Sequence, residues 1–273
     1  MSRNKTIAII GVGNLGGAIA RGLKDSGEYR PQNIILTRRH IDRIAEFGEA
    51  GFKIEKDNLK AAAWADLLII TVEPQQMNRL LDELAPAVDV DRHVIISCVT
   101  GVSIRQIKDR LQKEATVVRA MPNTGVAVRE SMTCLATEGM NGPALRMAEE
   151  IFSTVGKTLI IDEEQMAAAT ALGACGVAFF LRAIRAASQG GIEIGFPADK
   201  AMLIAAQTSL GAARLLLENQ THPEAEIDRV TTPRGVTISG LNTMEHQGFS
   251  SAMIKGIVTS WEKAFRLYRE DKD

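Results

Sequence analysis

Cysteine is scarce in this chain, with three among 273 residues. Cys98, Cys134 and Cys175 are odd in number and none falls in a CxxC pair, so their spacing supports neither a disulfide framework nor a zinc site. That usage fits a reducing cytoplasm. Net charge is also close to absent, at −1, which gives no reason to expect nucleic acid or an anionic membrane as partner. Histidine is sparse: His40, His93, His222 and His246 are scattered, and none stands beside a carboxylate at a metal or triad spacing. No metal site is expected. Residues 1–5 lead directly into a predicted strand, without the apolar core of a signal peptide. The longest uncharged stretch, residues 166–181, falls short of the ~20 residues needed to span a bilayer and reads as a buried helix.

What is present is a chain with 45% hydrophobic residues, long enough for two domains. Near its start, the apolar run Ile7-Ala8-Ile9-Ile10 stops at Gly11-Val12-Gly13-Asn14-Leu15-Gly16 and flows into a small-residue helix. A strand, a glycine turn and a helix N-terminus in that order build a pyrophosphate cradle. Gly11 permits the tight turn, Gly13 lets the backbone approach the diphosphate, and Gly16 lets the helix pack closely on the strand. The free N–H groups of the helix start then face the anion. Three glycines alone could be a flexible loop; the strand before them and the helix after them favour a dinucleotide site.

The two nicotinamide dinucleotides are distinguished at the end of the next strand, predicted at residues 33–36. No acid stands there to accept from a ribose 2′-hydroxyl. Thr37-Arg38-Arg39 offers instead a hydroxyl and two guanidinium groups suited to a 2′-phosphate, so NADP(H) is preferred. NAD(H) remains the alternative, because adjacent side chains diverge and the two arginines could be solvated surface residues.

The first half alternates strands and helices, which predicts a parallel sheet covered on both faces. Strands are expected near residues 52–54, 66–72, 93–98, 116–119, 132–136 and 158–161. Helices are expected at 41–50, 58–64, 76–84, 104–111 and 143–153. Beyond residue 162 the pattern turns helical, with segments at 163–189, 199–219, 236–246 and 250–269, broken at residues 195–197 and 221–223. The expected architecture is therefore α/β. A Rossmann-type doubly wound parallel sheet over residues 1–162 precedes an all-α C-terminal dimerisation domain over residues 163–273. The first C-terminal helix has few charges on any face between residues 167 and 181, more apolar surface than a small domain buries alone. A second copy of the chain, forming a homodimer, is the expected cover.

The stretch from Glu224 through Thr231-Thr232-Pro233-Arg234-Gly235-Val236-Thr237 to Glu245 closely resembles the signature of pyrroline-5-carboxylate reductases. The resemblance extends along the chain through Gly11 to Gly16, Asn58, Val72 with Pro74, Met121-Pro122-Asn123-Thr124, the Ala205 to Leu217 segment and Gly248-Phe249. It implies reduction of 1-pyrroline-5-carboxylate to L-proline by NAD(P)H. It further implies that the backbone of Gly235, Val236 and Thr237 holds the substrate carboxylate, with the Thr237 hydroxyl on the ring nitrogen as the catalytic contact. Glu163 would lie near the substrate, and Asn58, Val72, Glu73, Pro74, Cys98 and Thr100 along the cofactor. Without the resemblance, residues 233–237 read as an ordinary helix start and Glu163 as a charge in a helix's first turn.

Four departures accompany the match. Glu73 stands where the family usually has lysine, Gly125 where it has proline, and Arg234 where it has a small residue, while residues 174–179 differ from its Gly-Ser-Gly-Pro-Ala-Tyr segment. They leave two alternatives: a related imine or β-hydroxyacid-type reductase for another small carboxylate, or a catalytically weak dinucleotide-binding regulator. A β-hydroxyacid enzyme would place a lysine on the first long C-terminal helix, and residues 163–189 contain none.

Overall fold

The computed structural model describes residues 5–139 and 142–270. Residues 1–4, on which the reading of the chain start rests, lie outside them. Runs that are apolar at successive positions form strands buried on both faces: β1 (Ile7–Ile10), β2 (Ile34–Thr37), β4 (Leu67–Ile70) and β5 (Val94–Ser97) are inaccessible along their whole length. Between them lie α1 (Asn14–Asp25), α2 (Ala45–Glu49), β3 (Lys53–Glu55), α3 (Asn58–Trp64) and α4 (Pro74–Leu84). After β5 come α5 (Ile104–Leu111), β6 (Thr116–Met121), β7 (Ser131–Thr137), α6 (Pro143–Ser153) and β8 (Gly156–Ile160).

The eight strands make one sheet in the order β3-β2-β1-β4-β5-β6-β7-β8. In-register pairing sets Ile10 against Thr37 on one side and Ile70 on the other. Alternate residues serve opposite faces: Ile7, Ile9, Leu67 and Ile69 pack with Ile19, Leu23 and Phe152, whereas Ala8, Ile10, Leu68 and Ile70 pack with Leu81, Ile104 and Ile107. Helices thus cover both faces, as the alternating pattern predicts. One expectation is corrected: β7 runs antiparallel to β6, so the sheet is not wholly parallel. A short turn of 3-10 helix at Thr124–Val128 joins them, and no crossover helix carries the chain back.

The chain after β8 differs from one long helix. A 3-10 turn (Glu163–Gln165), a short α7 (Met166–Ala169) and a π-helical turn (Thr170–Ala174) precede α8 (Gly176–Glu193). The π turn is closed by the Cys175 amide donating to the Thr170 carbonyl at 2.9 Å. Further on are α9 (Ala198–Asn219), α10 (Pro223–Arg229), α11 (Val236–His246) and α12 (Phe249–Glu270). The break expected at residues 221–223 hides a helix start: Pro223 occupies the first helical position of α10, and His222 caps it, its Nδ1 accepting from the Glu224 amide at 3.3 Å.

Contacts divide the described chain into one unit of residues 5–139, 142–175 and 260–270, and another of residues 176–259. The division falls after residue 175 rather than after 162, because Met166 is fully buried against Met121, Cys134 and Ala136 of the sheet. In the helical unit burial is slight. Leu172, just before it, and Phe180 and Leu181 within it are about three-fifths exposed, so the apolar stretch is not buried within one chain. The helical run Glu163–Glu193 is long and apolar enough to cross a membrane by length and composition, and 22% of its most apolar window is buried. The uncharged stretch read as too short for a bilayer thus lies within a longer apolar run, and it is not buried within one chain, as its lack of charge leads one to expect.

Candidate dinucleotide and substrate sites

Chain order reverses between β1 and β4, and the C-terminal ends of those strands form the crevice where open α/β sheets bind ligands. The glycine turn sits there. Gly11 has φ +84°, and a Cβ on it would stand 2.3 Å from Val72 Cγ1, so both the backbone and the space demand glycine. The Gly11 and Val12 amides donate to the Thr37 carbonyl at 3.2 and 2.9 Å, and the Thr71 hydroxyl donates to the Ile10 and Gly11 carbonyls. A Cβ on Gly16 would meet Thr71 Oγ1 at 2.5 Å, which is the close helix-on-strand approach expected of it. Gly13 caps α1 with nothing within 4 Å of its Cβ position. The first turn of α1 contains no acid, so that open corner offers helix-start amides to an anion.

Beside the turn opens a cleft of about 350 Å³. It brings together Ile10, Gly11, Thr37, Arg38, Arg39, Asn58 and Val72 from the predicted set. Thr37 differs from expectation in its chemistry. Its side chain is buried, and its hydroxyl donates to Asn58 Oδ1 at 2.7 Å, so that proton is committed to the protein rather than offered to a phosphate. Asn58 is fixed in turn, its Nδ2 donating to Glu83 Oε1 at 3.2 Å. The cleft is also lined by Lys56, Gln75, Gln76, Arg79, Leu80 and Glu83, which the sequence reading missed. Gln75, Arg79 and Glu83 recur every four residues on α4, a helical stripe that was legible once the helix was placed.

The remaining predicted residues lie outside that lining. Asn14 is exposed and Leu15 half-buried at the start of α1, while Val12 is in the core with only its backbone available. Glu73 and Pro74 open α4, where Glu73 is exposed and makes no capping bond with its side chain. Cys98 extends β5, its amide donating to the Ile70 carbonyl at 2.9 Å. Burial pushes its thiol up to about 12, which leaves the sulfur inert, and Thr100 follows half-buried.

Glu163 does not serve its own helix turn. Its Oε1 accepts from the Ile104 amide at 2.7 Å, satisfying an orphan donor at the start of α5, and from Nη1 of the buried Arg119 at 3.4 Å. Nearby, Asn123 links the loop after β6 to the π turn through its Nδ2 and the Gly173 carbonyl at 3.2 Å. Asn123 Oδ1 accepts from the Gly125 amide, and a Cβ on Gly125 would meet the Glu130 carbonyl at 2.7 Å. A proline at 125 would lack that donor and crowd that carbonyl, which gives the departure a structural reason.

In the helical unit, residues 232–235 form a tight turn, the Gly235 amide donating to the Thr232 carbonyl at 2.9 Å. Pro233 supplies its second residue and Arg234 its third, with φ +60°. A small residue fits that left-handed position better than arginine does. Gly235 then caps α11 without any side-chain bond, no acid stands in the first turn, Val236 is 91% exposed, and Thr237 is half-buried. Among the described residues, no side chain caps the first amides of the helix, an arrangement suited to a small carboxylate.

A glycine turn at a switch point and a cation-lined cleft beside it fit a dinucleotide site on a Rossmann-type sheet. Residues 6–101 match the profile of NADP oxidoreductases, coenzyme F420-dependent, and residues 163–267 that of pyrroline-5-carboxylate reductase dimerisation. The chain is 49% identical over 280 residues to pyrroline-5-carboxylate reductase 2 of Dictyostelium discoideum, covering 97% of this chain and 93% of that one. It is 50% identical to pyrroline-5-carboxylate reductase 1 of the same organism across 97% of this chain, and spans 50% of that relative's length. A solved pyrroline carboxylate reductase from Plasmodium falciparum, with NADP bound, shares the fold at TM-score 0.89 and 21% identity, covering 97% and 99% of the two chains. This chain belongs to the pyrroline-5-carboxylate reductase family.

Proposed function

We propose that this chain reduces 1-pyrroline-5-carboxylate to L-proline, using NADPH in preference to NADH, as a cytoplasmic homodimer formed through its C-terminal helices. The observation that supports the reading is the start of α11: a tight turn precedes helix-start amides without a side-chain cap, with Thr237 in the first helical turn. On this reading residues 1–162 bind the dinucleotide and residues 163–273 provide dimerisation and substrate binding. The P. falciparum relative's bound NADP and the arginines at the end of β2 support the choice of cofactor. Three free thiols support a reducing compartment.

Bound in the cleft, the reduced dinucleotide would supply a hydride to the imine carbon, the C=N electron pair passing to a nitrogen that binds already protonated. The Val236 and Thr237 amides hold the substrate carboxylate at the positive end of α11. The Thr237 hydroxyl accepts from the ring N–H and fixes the angle of the C=N bond. With the proton already in place, no strong general acid is needed, and catalysis rests on positioning. None of the four histidines is required for it.

The test is a steady-state assay with 1-pyrroline-5-carboxylate and either cofactor, repeated on Thr237→Ala. The variant should lose about 1–3 kcal/mol of transition-state stabilisation in kcat/KM. Absence of oxidation of both cofactors by the parent would exclude the reading, and an unchanged Thr237→Ala would exclude the hydroxyl's role.

A further inference from the structure

The cleft beside the glycine turn holds more positive charge than the end of β2 explains. Arg38 and Arg39 follow β2, Lys56 follows β3, and Arg79 projects from α4, yet all four line the same 350 Å³. Against them stands one carboxylate, Glu83. Among the described residues, no ion pair engages the side chain of any of the four. Some cations elsewhere on this unit do have carboxylate partners, Arg92 with Asp66, Arg110 with Asp82, Lys108 with Glu138 and Arg21 with Glu46; what sets the cleft's four apart is that they line one cavity. Glu83 is itself occupied, accepting from Asn58, whose amide is held by Thr37. Four like charges converging on one cavity repel one another unless an anion enters. An anion with three acceptor oxygens suits guanidinium and ammonium donors arriving from several directions.

We propose that Lys56 and Arg79 complete a 2′-phosphate clamp with Arg38 and Arg39, so that discrimination between NADPH and NADH is set by three elements, the ends of β2 and β3 and the face of α4. The proposal rests on the cleft being the dinucleotide site. Arg79 comes from α4 rather than from β2, so its guanidinium adds a donor group from a different element to those of the adjacent Arg38 and Arg39. Glu83, on the same stripe of α4, would be the carboxylate that receives a ribose 2′-hydroxyl if NADH were favoured instead. Its bond from Asn58 weakens that option.

The test is titration calorimetry of the full chain with adenosine 2′-monophosphate and with adenosine 5′-monophosphate, on the parent, Lys56→Gln, Arg79→Gln and Arg79→Lys. It is accompanied by dissociation constants for NADPH and NADH from nicotinamide fluorescence. Each Gln variant should weaken the 2′-phosphate ligand by about tenfold, the range of one charge-assisted hydrogen bond. The ratio of NADH to NADPH dissociation constants should fall by a similar factor, and the salt dependence of NADPH binding should flatten. Arg79→Lys should recover part of the loss. Gln variants that bind adenosine 2′-monophosphate as the parent does, or that weaken NADPH and NADH equally, would overturn the proposal while leaving the dinucleotide site standing. A parent that binds neither dinucleotide would overturn both.

Discussion

The strand-bearing unit and the helical unit satisfy the hydrophobic effect differently. In the first, β1, β2, β4 and β5 are buried at every residue, and two apolar clusters fill the two faces of the sheet. In the second, only Gly176 and Ser188 of α8, and Ala201 and Ala205 of α9, are buried. Phe180, Leu181, Leu203 and Ile254 are more than three-fifths or about that much exposed. An exposed apolar face of that extent marks an interface. The strand-bearing half buries its apolar residues within itself, whereas the helical half leaves its own exposed, as the proposed homodimer requires.

The strongest way to break that contrast is to charge the helical face. A Phe180→Asp, Leu181→Asp variant should lose on the order of 3–6 kcal/mol of association, since each change is counted twice in a two-fold interface. Sedimentation equilibrium should find a dimeric parent and a monomeric variant; a variant dimer of undiminished affinity would move the interface elsewhere. In the strand unit the corresponding change is Ile69→Ala, in a fully buried central strand. It should reduce stability by about 2–5 kcal/mol with no change in dimer dissociation. If the loss vanished at high protomer concentration, the distinction between the units would fail.

A smaller effect tests the strand unit by pH. His93 is buried, its Nδ1 accepting from the Asp89 amide at 2.9 Å and its Nε2 lying 3.1 Å from the Ala62 and Ala65 carbonyls. That arrangement needs the neutral ring with its proton on Nε2. Burial, and then the nearby Arg92, hold its pKa below the ordinary 6.5. The unfolded chain therefore binds the proton first. Stability should be full above pH 6.5 and decline as pH falls from there towards the depressed folded value, because the unfolded chain takes up a proton that the folded ring refuses. Urea midpoints measured across that range should show the slope in the parent and lose it in His93→Gln. The smallest expected change is a gain: Arg234→Gly relieves a left-handed residue and should raise thermal stability by up to about 1 kcal/mol, with kcat/KM reporting whether the turn needs the guanidinium. Decreased stability would show that Arg234 makes a compensating contact.

The sequence made the nucleotide half legible where local pattern and tertiary role coincide. Residues 7–25 announced strand, turn and helix because apolar continuity, glycine spacing and small residues all point to one conformation. Strand direction was not legible: residues 131–137 are as apolar in an antiparallel strand as in a parallel one, and only the short link from β6 shows the reversal. The π turn was hidden because one inserted residue barely disturbs a helical pattern, and α10 because a proline that starts a helix looks like one that ends another. Arg38 and Arg39 were visible as neighbours in sequence. Lys56, Arg79 and Glu83 were not, since the end of β3 and the face of α4, two elements separate from β2 in sequence, bring them to the cleft. Thr37 shows what a sequence leaves out: it lines the cleft as expected, and its hydroxyl also donates to Asn58, a partner 21 residues away.

Of the described residues, 260–270 belong to the strand-bearing unit although they follow the whole helical unit, and a Cβ on Gly101 would stand 2.9 Å from Leu267 Cβ. During synthesis, then, the sheet emerges early but cannot receive its last helical turns until nearly all of α12 has left the ribosome. The loop after β5, which carries Cys98 and Thr100, must wait for a segment made far later. Vectorial folding of this chain is consequently two-stage, with the first unit assembled early and sealed last.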